Sequence, residues 1–191
     1  NTENRGKLLG DFDTGIKIIA LYKEGSYEIS EMDLTKKYDI NQLEDIAKYS
    51  EGMVINAVYF ESGKAWTMVK RFLIETSTLN QKFYFIPEDN TAKLYFATTH
   101  KESQILVTYK EGKDKYEMEV DIDNFMDVKG WKALGNKLVE GKLLKSEETS
   151  FLEENFITEE KPTTKQGDLF GDNKEKGKNG KLKSGDTLEW E

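Results

Sequence analysis

As far as about residue 146, the chain contains a series of short runs rich in apolar, β-branched and aromatic residues, some of which alternate with polar residues. This pattern is typical of β-strands. Each of three predicted strand pairs is joined by a short turn: 16–22 with 26–30, 53–60 with 65–74, and 105–109 with 115–122. A tyrosine stands at or near the end of each first strand, and the turns contain Gly25, Gly63 and Gly112. Because glycine adopts a positive φ without steric cost, we expect these three glycines to turn the chain.

The turn signature recurs at intervals of 38 and 49 residues, measured between successive glycines. A hairpin repeated every 40–50 residues or so is typical of propeller blades rather than of a two-sheet sandwich. Two further strands, 82–86 and 93–97, are predicted between the second and third hairpins, as four-stranded blades require. Residues 41–49 fit a short helix or a strand. The pattern predicts an all-β fold of propeller-like repeats, of which this chain holds only a part.

The composition changes near residue 146. Residues 146–191 carry 7 lysines against 12 acidic residues, and 171–185 consist almost entirely of Asp, Asn, Lys, Glu, Gly and Ser. A segment with so few apolar side chains cannot offset the conformational entropy lost on ordering. We therefore expect two regions: a folded β-domain over 1–145 and an acidic, mostly disordered tail over 146–191.

Composition also narrows the possible chemistry. The 191-residue chain has no cysteine and one histidine, which excludes a disulfide framework, a thiolate site and a multi-histidine metal centre. No apolar stretch is long enough to cross a bilayer, and no secretory leader opens the sequence. The first residue is Asn rather than Met, which suggests a fragment. We expect a soluble, cytoplasmic protein with no membrane partner.

One predicted strand carries a row of carboxylates: Glu117, Glu119, Asp121 and Asp123 alternate with apolar residues. Such a row is compatible with a carboxylate-dependent hydrolase. It is also what the solvent-facing side of an amphipathic strand looks like. A segment similar to a calcium loop begins at Asp121, but Met126 stands where that loop needs Gly. No nucleophile–base pair can be named, and we expect neither catalytic residues nor a metal site.

Two short segments are basic, although the chain carries a net charge of −8. Residues 62–82 hold four cations against one acid, and 129–145 hold five lysines against one acid. Solubilising surface charge is one explanation. In 129–137, however, lysines alternate with glycines, which let backbone amides approach a phosphate that lysine neutralises. Since Lys70 and Arg71 adjoin in a strand, they must lie on opposite faces, and we expect at least one to reach solvent or phosphate.

Four segments carry a resemblance to a known family. They are 6–13 (GKLLGDFD), 22–28 (YKEGSYE), 63–79 (GKAWTMVKRFLIETSTL) and 127–138 (DVKGWKALGNKL). Together they resemble the C-terminal domain of the A subunit of bacterial type II topoisomerases, and topoisomerase IV more closely than gyrase. The gyrase box, a Gln followed by paired arginines and glycines, is absent from this sequence. The family's catalytic tyrosine has no matching motif either.

The resemblance implies a β-pinwheel, a propeller relative whose basic rim bends and wraps double-stranded DNA. In the family, the domain presents a DNA segment to the catalytic core of an isomerase. The ATP and Mg²⁺ of that enzyme, its B subunit and its A-subunit homodimer involve regions missing from this chain, which by itself is expected to be non-catalytic and without a cofactor. The family's DNA-binding loop matches Lys129, Gly130, Lys132, Gly135 and Lys137, and the further DNA-binding candidates are Lys64, Lys70 and Arg71.

The tail suggests two further interactions. Its negative charge, tethered beside a basic rim, could compete with DNA, or it could simply keep the protein soluble. Gln166, Leu169 and Phe170 belong to a segment similar to the short peptide by which bacterial replication proteins dock on the sliding clamp. Without the resemblance, the alternative is a non-enzymatic propeller-like module that binds protein or carbohydrate. Such a module should ignore DNA even at low salt.

Overall fold

Twelve β-strands and one four-residue helix form the described part of the chain. A computed structural model describes residues 9, 13, 15–33, 35–89 and 91–152. The elements are β1 (Lys17–Tyr22), β2 (Ser26–Glu31), β3 (Leu43–Tyr49), β4 (Val54–Glu61), β5 (Trp66–Leu73), β6 (Lys82–Tyr84), β7 (Lys93–Thr98), β8 (Glu102–Glu111), β9 (Asp114–Asp121), α1 (Ile122–Phe125), β10 (Lys129–Gly130), β11 (Asn136–Glu140) and β12 (Leu143–Leu152). The prediction of an all-β protein is confirmed.

The strands form three sheets. Sheet A has the order β3–β1–β2–β6, and sheet C has the order β12–β8–β9. Sheet B has the order β10–β5–β4–β7, and β11 also pairs with β5. All the paired strands are antiparallel except β10, which runs parallel to β5. None of these sheets closes on itself, so the described residues establish several open, mainly antiparallel sheets. A propeller or pinwheel arrangement of these sheets is not shown.

The chain repeats one connection rule. Its three hairpins are β1–β2, β4–β5 and β8–β9, as predicted. A later strand returns to the outer edge of each hairpin's first strand: β3 on β1, β7 on β4 and β12 on β8. The second strand of a hairpin is covered by a strand that follows the next hairpin: β6 on β2, and β10 and β11 on β5. The two extra strands predicted for one blade, 82–86 and 93–97, therefore join different sheets.

Sheet B is the middle layer. One apolar cluster joins Ile19 and Tyr27 of sheet A to Ile55 and Phe72 of sheet B. A second cluster joins sheet B to sheet C through fully buried residues that include Val58, Val69, Ile105 and Val107. Side chains alternate across a strand, so β4 and β5 must supply apolar residues to both clusters. That requirement explains the apolar run over 53–60, which only Asn56 interrupts.

Two of the three turn glycines have the expected geometry, with φ of 82° at Gly25 and 61° at Gly112. In the β4–β5 turn the positive φ belongs to Ala65, at 55°, so the prediction for Gly63 is wrong. The Glu61 carboxylate accepts hydrogen bonds from the amides of Gly63 (3.1 Å) and Lys64 (2.8 Å). These bonds hold the start of the turn and leave the left-handed conformation to its last residue.

Several boundaries differ from those expected. Residues 41–49, which fit a helix or a strand, contain strand β3. The boundary placed between 145 and 146 falls inside β12, which pairs with β8 as far as Leu152. Most of segment 6–13 and all of 153–191, including the clamp-peptide candidates Gln166, Leu169 and Phe170, lie outside the described residues. Among the helices that the structure describes, none is long and apolar enough to span a bilayer.

The carboxylate row divides into two kinds of residue. Glu117 and Glu119 are exposed on β9, as a solvent-facing strand side requires. Asp121 caps α1 by accepting a hydrogen bond from the Asn124 amide (3.1 Å), and Asp123 forms an ion pair with Arg71. Over 15–33, 35–89 and 91–152, no group of three or more acidic or histidine side chains is placed to hold a metal ion. Two carboxylates of the row thus face solvent, and the other two hold local structure.

The hairpin glycines provide a test of the fold. A Cβ at Gly25 would lie 2.2 Å from the Cδ1 and Cγ1 atoms of buried Ile86, whereas a Cβ at Gly112 would meet no atom within 4 Å. Both positions carry the cost of a left-handed residue, about 1–2 kcal/mol. Gly25→Ala adds a core clash of roughly 1–3 kcal/mol, so we expect it to lower the free energy of unfolding clearly more than Gly112→Ala does in urea titrations. Equal losses would contradict the packing of Ile86 on the first turn.

Candidate nucleic-acid interface

The edge of β5 that faces away from β4 is lined by residues 129–140. β10 pairs with the C-terminal end of β5, placing Lys129 opposite Phe72. β11 pairs with the first half of β5, from Asn136 opposite Val69 to Glu140 opposite Trp66. Residues 131–135 form a loop between these two pairings. The two basic segments are thus adjacent in the fold: residues 129–145 lie along β5, which belongs to the segment 62–82.

This pairing gathers five exposed lysines, which we call the basic edge: Lys64, Lys129, Lys132, Lys137 and Lys142. Lys64 lies in the turn before β5 and Lys142 follows β11; the two segments are joined by a hydrogen bond from the Gly141 amide to the Ala65 carbonyl (2.8 Å). An eight-residue strand such as β5 is roughly 23 Å long, which is the axial length of about seven base pairs of DNA. The basic edge therefore has the length of a short duplex contact.

Four of these five lysines have their ammonium groups over aromatic rings. The ammonium groups of Lys64 and Lys137 approach the same ring, at 5.4 and 4.5 Å from the centroid of Trp66. Lys132 lies over Trp131 at 5.3 Å, and Lys142 over Phe60 at 5.0 Å. Long cationic side chains commonly cover apolar surface in this way while the charge stays in water. The rings therefore direct the lysines along the surface and limit their freedom.

Nearby acidic groups neutralise only part of the basic edge. Lys137 forms an ion pair with Glu140 at 2.6 Å, and that hydrogen bond holds the pKa of the Glu140 carboxyl below its usual value. Lys129 donates to the Asn136 side chain at 3.1 Å, which leaves its charge uncompensated by that contact. Lys64, Lys132 and Lys142 form no ion pair with any residue that the structure describes. These three cations are available to an anionic partner.

The loop 131–135 is tied down from both sides. Lys70 donates to the carbonyl of Trp131, and the Tyr59 hydroxyl donates to the carbonyl of Leu134 at 2.5 Å. Burial raises the pKa of the Tyr59 hydroxyl, which therefore stays protonated and able to donate. The Trp131 ring packs edge-on against Tyr27, with 6.5 Å between the ring centroids. Lys132 is thus presented on an anchored loop.

The sequence predicts that Gly130 and Gly135 let the backbone approach a phosphate, and the structure gives Gly135 a further role. A Cβ at Gly135 would lie 2.2 Å from the Val69 carbonyl oxygen, and its φ is 88°. Only glycine fits where the loop returns to β5. Gly130 lies in β10 and is exposed, and a Cβ added there would come no closer than 3.3 Å to another group, the Glu75 carboxylate.

Lys70 and Arg71 lie on opposite faces of β5, as expected, but neither extends into solvent. Lys70 is 3% exposed and also donates to the Phe85 carbonyl at 2.6 Å. Arg71 donates to the carbonyl oxygens of Asp123 (3.3 Å) and Met126 (3.2 Å) in addition to its ion pair with Asp123. The expectation that one of them reaches solvent or phosphate is therefore wrong in this structure. Both cations serve internal contacts.

The sequence did not single out two residues that contribute to this surface. Lys142 belongs to the basic segment 129–145, so its charge was visible, but its place beside Lys64 depends on the pairing of β11 with β5. Tyr59 reads as a core residue, and nothing in its neighbourhood along the chain indicates a hydrogen bond to Leu134, which is 75 positions away.

A comparison with protein families adds an independent observation. A family model described as the topoisomerase C-terminal domain of Bacteroidota matches residues 1–149. The chain belongs to this family. The match includes the three hairpins and the whole basic edge of this topoisomerase C-terminal domain, and it ends inside β12. Membership connects the domain with the control of DNA topology. No curated protein and no solved structure gives a significant match.

Lys70 gives the domain a pH-dependent stability. Burial lowers the pKa of Lys70 from 10.5 to about 8, although two carbonyls stabilise its charge. Between these values the unfolded chain binds more protons than the folded one, so the free energy of unfolding should rise with pH. The penalty is complete below pH 8, and we expect a gain on the order of 1 kcal/mol by pH 9, before the ionisation of tyrosines in the unfolded chain opposes it. Urea titrations from pH 7 to 9 measure it.

The control for this prediction is Lys70→Met, which cannot titrate at this position. Its free energy of unfolding should show no rise of this size over the same interval. A rise of equal size in both proteins would assign the effect to other groups.

Proposed function

We propose that this topoisomerase C-terminal domain binds double-stranded DNA along the basic edge without reading base sequence. The observation that carries the proposal is the row of exposed lysines fixed along β5, three of which have no acidic partner among the described residues. The family membership supports the same conclusion, because control of DNA topology requires contact with DNA.

Lysine suits such contacts because its ammonium is a compact charge that pairs with phosphate oxygens on any sequence. Each phosphate that is neutralised releases condensed counterions, so the logarithm of the affinity should fall by about 0.9 per contact for each tenfold rise in salt. Three to five contacts along one strand edge predict a modest affinity that depends steeply on salt. The net negative charge of the chain does not oppose this, because the cations are concentrated on one edge.

In finer detail, we propose that the domain belongs to the A subunit of a topoisomerase IV-like enzyme and that its sheets are blades of a β-pinwheel. Three hairpins with one repeated connection rule support this arrangement. Bending a duplex around such blades costs on the order of several kcal/mol, which further phosphate contacts would offset. The proposal assigns ATP, Mg²⁺, the B subunit and the A-subunit homodimer to other parts of the parent isomerase, and capture of a DNA segment to this domain.

Charge-neutralising variants test the basic edge. We expect Lys64→Gln, Lys132→Gln and Lys142→Gln each to lower the slope of log affinity against log salt by about 0.9, which is about eightfold in affinity at 0.1 M salt. The measurement is fluorescence anisotropy of a labelled linear duplex at several salt concentrations. The loss should be the same for duplexes of unrelated sequence.

Lys115→Gln is the matched control. Lys115 is also exposed but lies on β9, where it pairs with Glu117 at 3.4 Å. Its replacement should leave the salt slope unchanged. If the unaltered protein ignored duplex DNA at low salt, the proposal would fail and the protein- or carbohydrate-binding module would become the better assignment.

The tail has a separate test. We propose that its acidic residues compete with DNA for the basic edge, and a chain ending at Leu152, where β12 ends, should then bind DNA more tightly at low salt than the full chain. Equal affinities of the two chains would mean that the tail serves only to keep the protein soluble. Docking of Gln166, Leu169 and Phe170 on a sliding clamp stays a prediction, to be tested by a pull-down with the full chain.

A further inference from the structure

Lys70 occupies a position that a DNA contact does not explain. It is the only lysine of the described residues that is buried, at 3% exposure, and its strand neighbours Val69 and Phe72 are fully enclosed. Its ammonium group has three hydrogens. Two are donated to the carbonyls of Phe85 and Trp131, and the Phe72 ring lies 5.1 Å from the nitrogen. An ammonium group so enclosed cannot reach a phosphate on the surface.

The two carbonyl acceptors belong to distant segments of the chain. Phe85 is buried, its amide donates to the Gly25 carbonyl at 2.9 Å, and its ring packs on Phe72 with 5.2 Å between centroids. The second acceptor, Trp131, begins the loop 131–135. Lys70 therefore connects a fixed part of the core to a loop that crosses the surface.

The loop borders a cavity lined by Lys70, Tyr84, Pro87, Trp131 and Lys132. On this side, the loop is held by the hydrogen bond from Lys70 and by the Trp131 ring, which packs on Tyr27. The second tether, from Tyr59 to Leu134, holds the other end of the loop, so that Lys132 stands between two anchored carbonyls. The Ala133 amide closes the intervening turn by donating to the Gly130 carbonyl at 2.9 Å.

We infer that Lys70 is a positioning residue, which holds the loop 131–135 so that Lys132 meets a DNA phosphate, and that it does not itself contact DNA. The inference rests on the proposed binding of DNA by the basic edge. In this mechanism the buried Lys70 orients the exposed Lys132 through its hydrogen bond to the Trp131 carbonyl.

A double-mutant cycle in the full chain tests the inference. Lys132→Gln should weaken duplex binding about eightfold at 0.1 M salt. Lys70→Met should weaken it by up to the same factor, and Lys70→Met combined with Lys132→Gln should be no weaker than Lys132→Gln alone, because Lys70 acts through Lys132. Independent losses that multiply to about 64-fold would mean that Lys70 contributes separately and would overturn the inference. So would an unchanged affinity in Lys70→Met.

Tyr59→Phe provides a second, gentler variant in case Lys70→Met does not fold. It removes one hydroxyl and its hydrogen bond to Leu134 while preserving the ring. It should weaken DNA binding in the original background and have no effect in the Lys132→Gln background. A loss that is the same in both backgrounds would contradict positioning through Lys132.

Hydrogen exchange without DNA separates the inference from the proposed function. In Lys70→Met, exchange of the Ala133 amide should become faster, while the Gly141 amide, which donates to Ala65 at the far end of the edge, should keep its rate. Unchanged exchange at Ala133 would overturn the positioning role. If Ala133 responds but the unaltered protein does not bind DNA, the loop tether is right and the proposed function is wrong.

Discussion

Two adjacent cations on opposite faces of one strand, buried Lys70 and half-buried Arg71, constrain the domain on both sides of its middle sheet. Lys70 and Arg71 follow each other in β5, so one faces the side of sheet A and the other the side of sheet C. A buried charge is tolerated only when hydrogen bonds replace the water it has lost. The replacements come largely from carbonyls of distant segments: Phe85, Asp123, Met126 and Trp131. The middle strand thereby fixes the path of the chain on both sides of it.

The same arrangement explains how an acidic protein can present a basic surface. The two cations at the centre of β5 make internal hydrogen bonds. The lysines around its outer edge lie at the surface, in turns or over aromatic rings. Exposure, and not the number of lysines in a segment, separates the two groups. Strand β9 of sheet C shows the opposite character: Glu117 and Glu119 face water, and the strand's one lysine, Lys115, pairs with Glu117. Charge is therefore sorted by strand and by face, which a net value of −8 conceals.

Sequence patterns predict those features of the fold that depend on residues close together in the chain. The alternation of apolar residues identifies the hairpins, and glycine marks two of the three turns. The third turn differs because the Glu61 carboxylate caps the amides of Gly63 and Lys64, which moves the positive φ to Ala65. The burial of Lys70 and Arg71 could not be predicted, because their acceptors lie between 15 and 61 residues away and leave no trace in the neighbouring sequence. For the same reason the sequence places the end of the domain too early: residues 146–150 look polar, but the segment 146–152 pairs with β8, 39 to 50 positions earlier.

The connection rule also sets the order in which a growing chain can complete its sheets. Sheet A stays open along β2 until β6 has been synthesised, and sheet B stays open along β5 until β10 and β11 follow the third hairpin. Incompletely synthesised chains can associate incorrectly through unpaired strand edges. Because segments made late cover these edges, the edges stay exposed for longer during synthesis. On a ribosome, each hairpin must therefore wait for the next one, so the domain is assembled by overlapping steps and not as three independent units.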